Sequence, residues 1–328
     1  MGEGGQTDVA GAAGENAGGA APSDVFEVKP SLGCGKEPLQ DTGVFVKHTL
    51  QTSGTKAPNC ADAQCGAWSY LRDYYVWLPK LYEKARAYPL VLEGPGCTGT
   101  GLSVYSLSST NTEVGAGLNG SVIRVGLTPP PNEIGHATSP NQGCFDDREG
   151  DDSVDVVFYE TLIDKLKDEL CYDENRVFVA GYSSGAWLAN ELGCKYAGNT
   201  GGYAIRGVLS ARGYLPTEAA FRPTCSDKPM AGTWVVDLGE PVAPVNQWHV
   251  AINRAMTVNG CSESDYELAQ HAAYPIGGGR PDSTCQKVVG CPTDYPLVVC
   301  PLPGVTKTNL DEIANPAFAT FLQSLEAP

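Results

Sequence analysis

"VFVAGYSSGAWLANELG", residues 177–193, is the stretch whose reading decides the fold. An apolar run from Val177 to Ala180 ends in Gly181-Tyr182-Ser183-Ser184-Gly185, and a helix-like pattern begins at once. This is G-x-S-x-G in a strand–turn–helix setting, where a serine sits on a tight, strained turn with its hydroxyl raised above a sheet edge. Side chains at 181 and 185 would collide with the neighbouring strand and helix, which accounts for both glycines. Ser183 is therefore the candidate nucleophile. The backbone N–H of Ser184, at the helix start, is the first candidate donor to a developing oxyanion. The side chains of Ser184 and Ser210 are read as turn or core groups.

Outward from the elbow, β-rich runs alternate with helical ones. "DYYVWLPKLY" (73–82), "YPLVLEGPG" (88–96), "SVIRVGLTP" (121–129), "RGVLS" (206–210), "GTWVVDLG" (232–239) and "YPLVVCPLP" (295–303) read as strands. "SVDVVFYETLIDKLKDEL" (153–170) carries apolar residues close to a 3.6 period behind good N-cap residues. "NQWHVAINRAMTVNG" (246–260) and "NPAFATFLQSL" (315–325) read as further helices. Strands alternating with helices imply an α/β fold, a mostly parallel central sheet with helices on both faces.

A second oxyanion donor usually comes from the loop after an earlier strand. "EGPGCTGTG" (93–101) follows "YPLVL" and has the glycines for close backbone approach, so the N–H of Cys97 or Thr98 is the candidate. In chain order the acid and then the base follow the serine. The loop after "TWVV" reads "DLGEPVAP". Glu240 is favoured as the acid because it stands on the loop, and Asp237, still within the strand, is the alternative. The base belongs just after the last strand, yet "PLVVCPLPGVTKTNLDE" contains no histidine. The chain has four: His48 and His136 precede the serine, His249 falls on the helix after the acid loop, and His271 follows the helix-like "YELAQ".

Four segments resemble the secreted esterases of the polyhydroxybutyrate depolymerase and feruloyl esterase group, which are α/β-hydrolases. They are "YPLVLEGPGC", "YDENRVFVAGYSSGAWLANE", "GEPVAPVNQWHVAINRAMTVNGC" and "PLVVCPLPGVTKTNL", and the likeness spans residues 70–325. The resemblance implies a carboxylic ester hydrolase acting on feruloyl or acetyl esters of plant polysaccharide, or on an aliphatic polyester. It aligns the group's D-x-x-V-P acid motif with "EPVAP", which puts Glu240 at the acid. The group's last motif carries glycine and then the catalytic histidine, and here that position is Lys307. A lysine with the ordinary pKa of about 10.4 is neutral in roughly one molecule in two thousand at pH 7, so it is a poor proton acceptor. A nearby Glu240 carboxylate would favour the ammonium further. Impaired catalysis, Lys307 acting as a desolvated base, and recruitment of His249 or His271 all stay open. So does a non-catalytic ester- or carbohydrate-binding protein that kept the fold.

Bulk properties narrow the class. The chain has 328 residues with 42% hydrophobic content, enough for a large core. Residues 1–29 are Gly/Ala-rich and read as a flexible tether, with residues 30–328 as the hydrolase-type domain. The tether has neither the basic start nor the apolar centre of a signal peptide. Nothing approaches 18 consecutive apolar residues, so no membrane span is expected. Net charge is −16, from 38 acidic and 22 basic side chains, which disfavours nucleic acid as a partner. The twelve cysteines are scattered rather than paired as CxxC, so disulfides and a secreted or envelope-exposed location are expected in place of a zinc site. "CFDDREGDDSVD" (144–155) lacks calcium-loop spacing and reads as a solvated loop feeding a helix. No cofactor or metal is expected, and a monomer is. The aromatics Tyr70, Tyr74, Tyr75 and Trp77 are read as strand packing, and Trp187 as core.

Overall fold

The computed structural model describes Met1 and residues 27–54, 67–103, 121–130, 143–145, 153–198, 202–215, 224–237, 246–276, 285–302 and 307–326. Among the described residues the strands are β1 (Phe45–Gly54), β2 (Trp68–Trp77), β3 (Tyr88–Gly94), β4 (Ile123–Leu127), β5 (Tyr172–Tyr182), β6 (Gly207–Ala211), β7 (Ala231–Asp237), β8 (His271–Ala273), β9 (Gln286–Val288) and β10 (Leu297–Leu302). The helices are α1 (Val154–Glu169) and α2 (Ser184–Tyr196) on either side of β5, α3 (Asn246–Asn259) after β7, and α4 (Lys307–Glu326) after β10.

All ten strands form one sheet in the order β1-β2-β4-β3-β5-β6-β7-β10-β9-β8. From β4 through β10 every neighbour is parallel, and the antiparallel strands lie at the two margins. Register decides the position of the site. Gly94 pairs with Gly181, Tyr182 with Ala211, Ala211 with Val235, and Asp237 with Leu302. The strand ends are therefore level, and the loops after β3, β5, β6, β7 and β10 leave from one edge, where open α/β sheets place their ligands.

Strands buried on both faces must be apolar on both, and alternation sends successive residues to opposite sides. In β5, Val177 and Val179 join the cluster with Phe158, Leu162, Leu188 and Ile252 of α1, α2 and α3. Phe178 and Ala180 join Phe318 and Phe321 of α4 on the other face. β3, β7 and β10 split in the same way, which is why these segments read as continuous apolar runs. The helix from residue 153 begins as its sequence implies, since Ser153 caps α1 by accepting from the Asp155 N–H at 3.1 Å.

Several boundaries differ from the sequence reading. The strand expected at 73–82 lies at 68–77 instead, because Pro79 lacks the N–H to continue a ladder. β1, with Lys47, His48, Thr49 and Gln51 in it, has no apolar run and is held by its pairing with β2 along its whole length. The helix-like "YELAQ" is a turn, closed by Leu268 and Ala269 N–H groups onto the Asp265 carbonyl at 3.2 and 3.1 Å. It lies between the Cys261–Cys291 disulfide and β8, too short a span for a helix to propagate. α4 starts at Lys307, ahead of the expected 315, and carries Pro316 inside it. Its apolar face, Ile313, Ala314, Ala317, Phe318 and Phe321, packs on both sides of that proline.

Five disulfides join described residues: Cys34–Cys171, Cys97–Cys144, Cys194–Cys225, Cys261–Cys291 and Cys285–Cys300. Cys60 and Cys65 lie outside the described residues. Most of the expected tether also lies outside them. Its last residues are tied down: the Lys29 N–H donates to Asp173 Oδ1 at 2.9 Å, and Lys29 Nζ pairs with Glu174 at 2.7 Å. No described helix is long and apolar enough to cross a membrane.

Candidate active site

The site begins with three glycines. A Cβ on Gly181 would overlap the Gly185 carbonyl, a Cβ on Gly185 would overlap the Gly94 carbonyl, and a Cβ on Gly94 would stand 2.8 Å from the Gly185 Cα. The ends of β3 and β5 and the start of α2 meet only because none of the three has a side chain. Chain reversal in so small a space forces Ser183 to φ 52°, ψ −120°. A positive φ is costly for a non-glycine residue and persists only where the surroundings impose it. Here they do. The Ser183 N–H donates to Ala211 at 2.9 Å, and its carbonyl accepts from Ala186 and Trp187 at 2.9 and 3.0 Å. The Ser183 side chain remains half-exposed. The next residue, Ser184, is the first of α2, so its N–H has no intrahelical acceptor.

The loop after β3 comes alongside. A Cβ on Gly96 would lie 3.5 Å from the Ser183 Cβ, and the Gly99 N–H closes a turn onto the Gly96 carbonyl at 3.1 Å. Within that turn the two candidate donors differ. Thr98, at φ 62°, donates its N–H to the Gly143 carbonyl at 2.9 Å. That bond occupies the Thr98 N–H, whereas the Cys97 N–H has no acceptor among the described residues. The Cys97–Cys144 disulfide, with Phe145 3.1 Å from where a Gly94 Cβ would stand, fixes the turn from behind.

Asp237 ends β7 at the same edge, is buried, and pairs with Arg212 at 3.6 Å. A carboxylate already facing a guanidinium is a weaker candidate for orienting a base. The favoured acid, Glu240, lies outside the described residues. Lys307 is the first residue of α4, five positions beyond Leu302, which pairs with Asp237. Its side chain is also outside the described set.

The histidines are elsewhere. β8, which starts with His271, is five strands from β5, roughly 24 Å at about 4.8 Å per strand. His271 is further held by Gln286 Oε1 and the Tyr266 carbonyl, each at 2.9 Å. His249 sits on α3 as expected but bonds Glu267 at 2.8 Å and faces Tyr266 at a ring distance of 6.1 Å. Tyr266 also touches His271 and is pushed up to about 12 by burial and then by Glu267. Both candidate bases thus belong to one cluster around Tyr266, bonded to partners of their own. His48, on β1 four strands from β5, stacks on Tyr74, and burial lowers its pKa. His136 lies outside the described residues. Among the described residues no group of three or more His, Cys, Asp or Glu side chains could hold a metal ion. Residues 146–152 of the acidic loop are outside that set.

Sequence reasoning gave no role to three residues at this edge, Arg212, Tyr182 and Tyr214. Arg212 follows β6 directly, at φ 54°, with its guanidinium 3.4 Å from the Tyr182 hydroxyl. Trp187, expected in the core, is half-exposed and meets Tyr214 at a ring distance of 4.7 Å. Nothing in "SARGY" (210–214) announces a left-handed arginine, whereas Tyr182 stood in plain view as the second residue of the elbow motif.

The parallel centre, the strand order and a strained serine between β5 and α2 define the class: the chain has the α/β-hydrolase fold. Two proteins are similar to it in sequence. Feruloyl esterase C of Emericella nidulans is 22% identical over 253 residues, 77% of each chain. A probable feruloyl esterase C of Aspergillus terreus is 22% identical over 239 residues, 73% of this chain and 72% of that one. Among solved structures, a ferulic acid esterase from Anaeromyces mucronatus superposes with a TM-score of 0.49 at 13% identity, covering 93% of this chain and 96% of its own. No family model matches the chain.

Proposed function

We propose that the chain is an extracellular carboxylic ester hydrolase with Ser183 as nucleophile, acting on feruloyl-type esters. The observation that carries this is Ser183 itself: a non-glycine residue at φ 52°, on interlocked glycines at the ligand-binding edge and beside Gly96. The names of the two fungal relatives favour a phenolic acyl group over an acetyl ester or a polyester. The disulfides favour an oxidising, extracellular setting.

In this reading Ser183 Oγ adds to the ester carbonyl carbon while its proton passes to a base. The Ser184 and Cys97 N–H groups stabilise the oxyanion. Collapse breaks the bond to the alcohol oxygen, which takes the proton, and water then releases the acid from Ser183 by the same steps. Glu240 orients the base, and the base position belongs to Lys307. A lysine of ordinary pKa is an ammonium at neutral pH, so slow turnover is expected of the native chain. Hydrolysis of a short p-nitrophenyl ester by the native chain, by Ser183→Ala and by Lys307→His tests this. We expect slow, serine-dependent hydrolysis that Lys307→His raises by at least tenfold. Activity unaffected by Ser183→Ala would contradict the nucleophile, and no serine-dependent activity in any form would favour a binding protein that kept the fold.

A further inference from the structure

We propose that Arg212 is a positioning residue of this site, clamping the Tyr182 ring beneath Gly96 so that the Cys97 N–H is held over Ser183. The inference rests on the esterase reading of Ser183. Three described non-glycine residues have positive φ: Thr98, Ser183 and Arg212. They stand beyond the ends of β3, β5 and β6, three of the five strands whose loops leave from the site edge. Strain at Thr98 and Ser183 is explained by the turn and the elbow. At Arg212 it places a long cationic side chain where glycine would fit without strain, and such outliers concentrate at functional sites.

The backbone around Arg212 is over-determined. Its N–H donates to Val235 at 2.9 Å, and Gly213 is so close to α2 that a Cβ there would stand 2.5 Å from the Ala186 Cβ. From that anchored point the guanidinium reaches both ways along the sheet edge. Nη1 donates to the Tyr182 hydroxyl at 3.4 Å, and Nη2 lies 3.6 Å from Asp237 Oδ2. The Tyr182 ring in turn supports the β3 loop: a Cβ on Gly96 would meet its Cδ1 and Cε1 at 3.2 and 3.3 Å. One chain of contacts thus runs Asp237, Arg212, Tyr182, Gly96, joining the ends of four strands. Its last member precedes the residue assigned to the oxyanion. Oxyanion donors work by being fixed before charge develops, so slack in this chain costs rate rather than affinity.

Two measurements on the full chain test the clamp. The first does not depend on activity: hydrogen exchange in the peptide spanning residues 95–103, for the native chain, Arg212→Met and Tyr182→Phe. Both variants should exchange faster there, with exchange in α1 unchanged. Unchanged exchange at 95–103 overturns the clamp whether or not the chain is an esterase. The second, in the Lys307→His background, reads kcat and KM separately for a p-nitrophenyl ester. Arg212→Met and Tyr182→Phe should each lower kcat by about tenfold with KM within about twofold, since each loosens one oxyanion donor without removing it. The double variant should lose no more than either single one, and Arg212→Lys should recover part of the rate. Unchanged kcat, additive losses or an effect on KM alone would overturn the positioning role, whereas loss of all serine-dependent hydrolysis from the Lys307→His parent would overturn the esterase reading instead.

Discussion

Lys307 and Ser183 raise one question from two positions in the chain: where the hydroxyl proton goes. The histidines held open as alternatives are bound into a cluster around Tyr266, and under the proposed function the question rests on position 307. A lysine base makes a specific prediction. The rate of the native chain should climb about tenfold per pH unit between pH 7 and 9, because the neutral amine fraction does so below a pKa of about 10.4. In Lys307→His the profile should level above about pH 7, the histidine being neutral past its ordinary pKa of about 6.5. Initial rates across that range, corrected for spontaneous hydrolysis, check both. A flat native profile would exclude Lys307 as the titrating base. In the sequence, Lys307 stands where the resemblance puts the histidine. The contacts that hold His249 and His271 around Tyr266 were not legible, since those of His271 depend on strands β8 and β9, three residues each, which no periodicity could announce.

At the scale of elements, the elbow is a contact between one strand end and one helix start. Gly185 carries most of it. Its missing Cβ is the space occupied by the Gly94 carbonyl, a backbone atom that cannot rotate away. Gly185→Ala should therefore destabilise the fold by about 1–3 kcal/mol, the usual cost of overpacking, and displace Ser183 as well. A lower denaturant midpoint together with lost hydrolysis would show it. Unchanged stability would mean that β3 and α2 are further apart than described. The strand–turn–helix pattern made this contact foreseeable from the motif alone. The β3 loop was foreseeable only in outline: its glycines marked close approach, but whether Thr98 or Cys97 keeps a spare N–H depends on the Gly143 carbonyl, 45 positions away in a segment with no pattern of its own. β1 was missed for a related reason. As an edge strand it owes its conformation to β2 rather than to its own residues.

For the whole molecule, no disulfide among the described residues joins one central strand to another. Cys34–Cys171 holds the N-terminal segment to the start of β5, Cys97–Cys144 the site loop, and Cys194–Cys225 the end of α2. Each native disulfide contributes about 2–5 kcal/mol, and a domain of this kind has only about 5–15 kcal/mol in total. Reduction should lower the urea midpoint sharply, with the largest loss once Cys34–Cys171 opens, since its separation of 137 residues closes the longest loop of the five. Midpoints measured with and without reductant check this, and equal values would contradict it. Alternation of strand and helix made the layered architecture readable, because strands apolar on both faces can only be covered on both. The pairing of the cysteines was not readable, since spacing along the chain says nothing of which loops meet.

The central claim is that Ser183 becomes acylated. The most direct measurement is to quench the chain during turnover of p-nitrophenyl acetate at pH 9, digest it, and locate the acetyl group by mass spectrometry. The account predicts acetyl on the peptide holding Ser183, and none on that peptide in Ser183→Ala. Ester turnover with Ser183 unmodified and the acetyl group on another residue would contradict it.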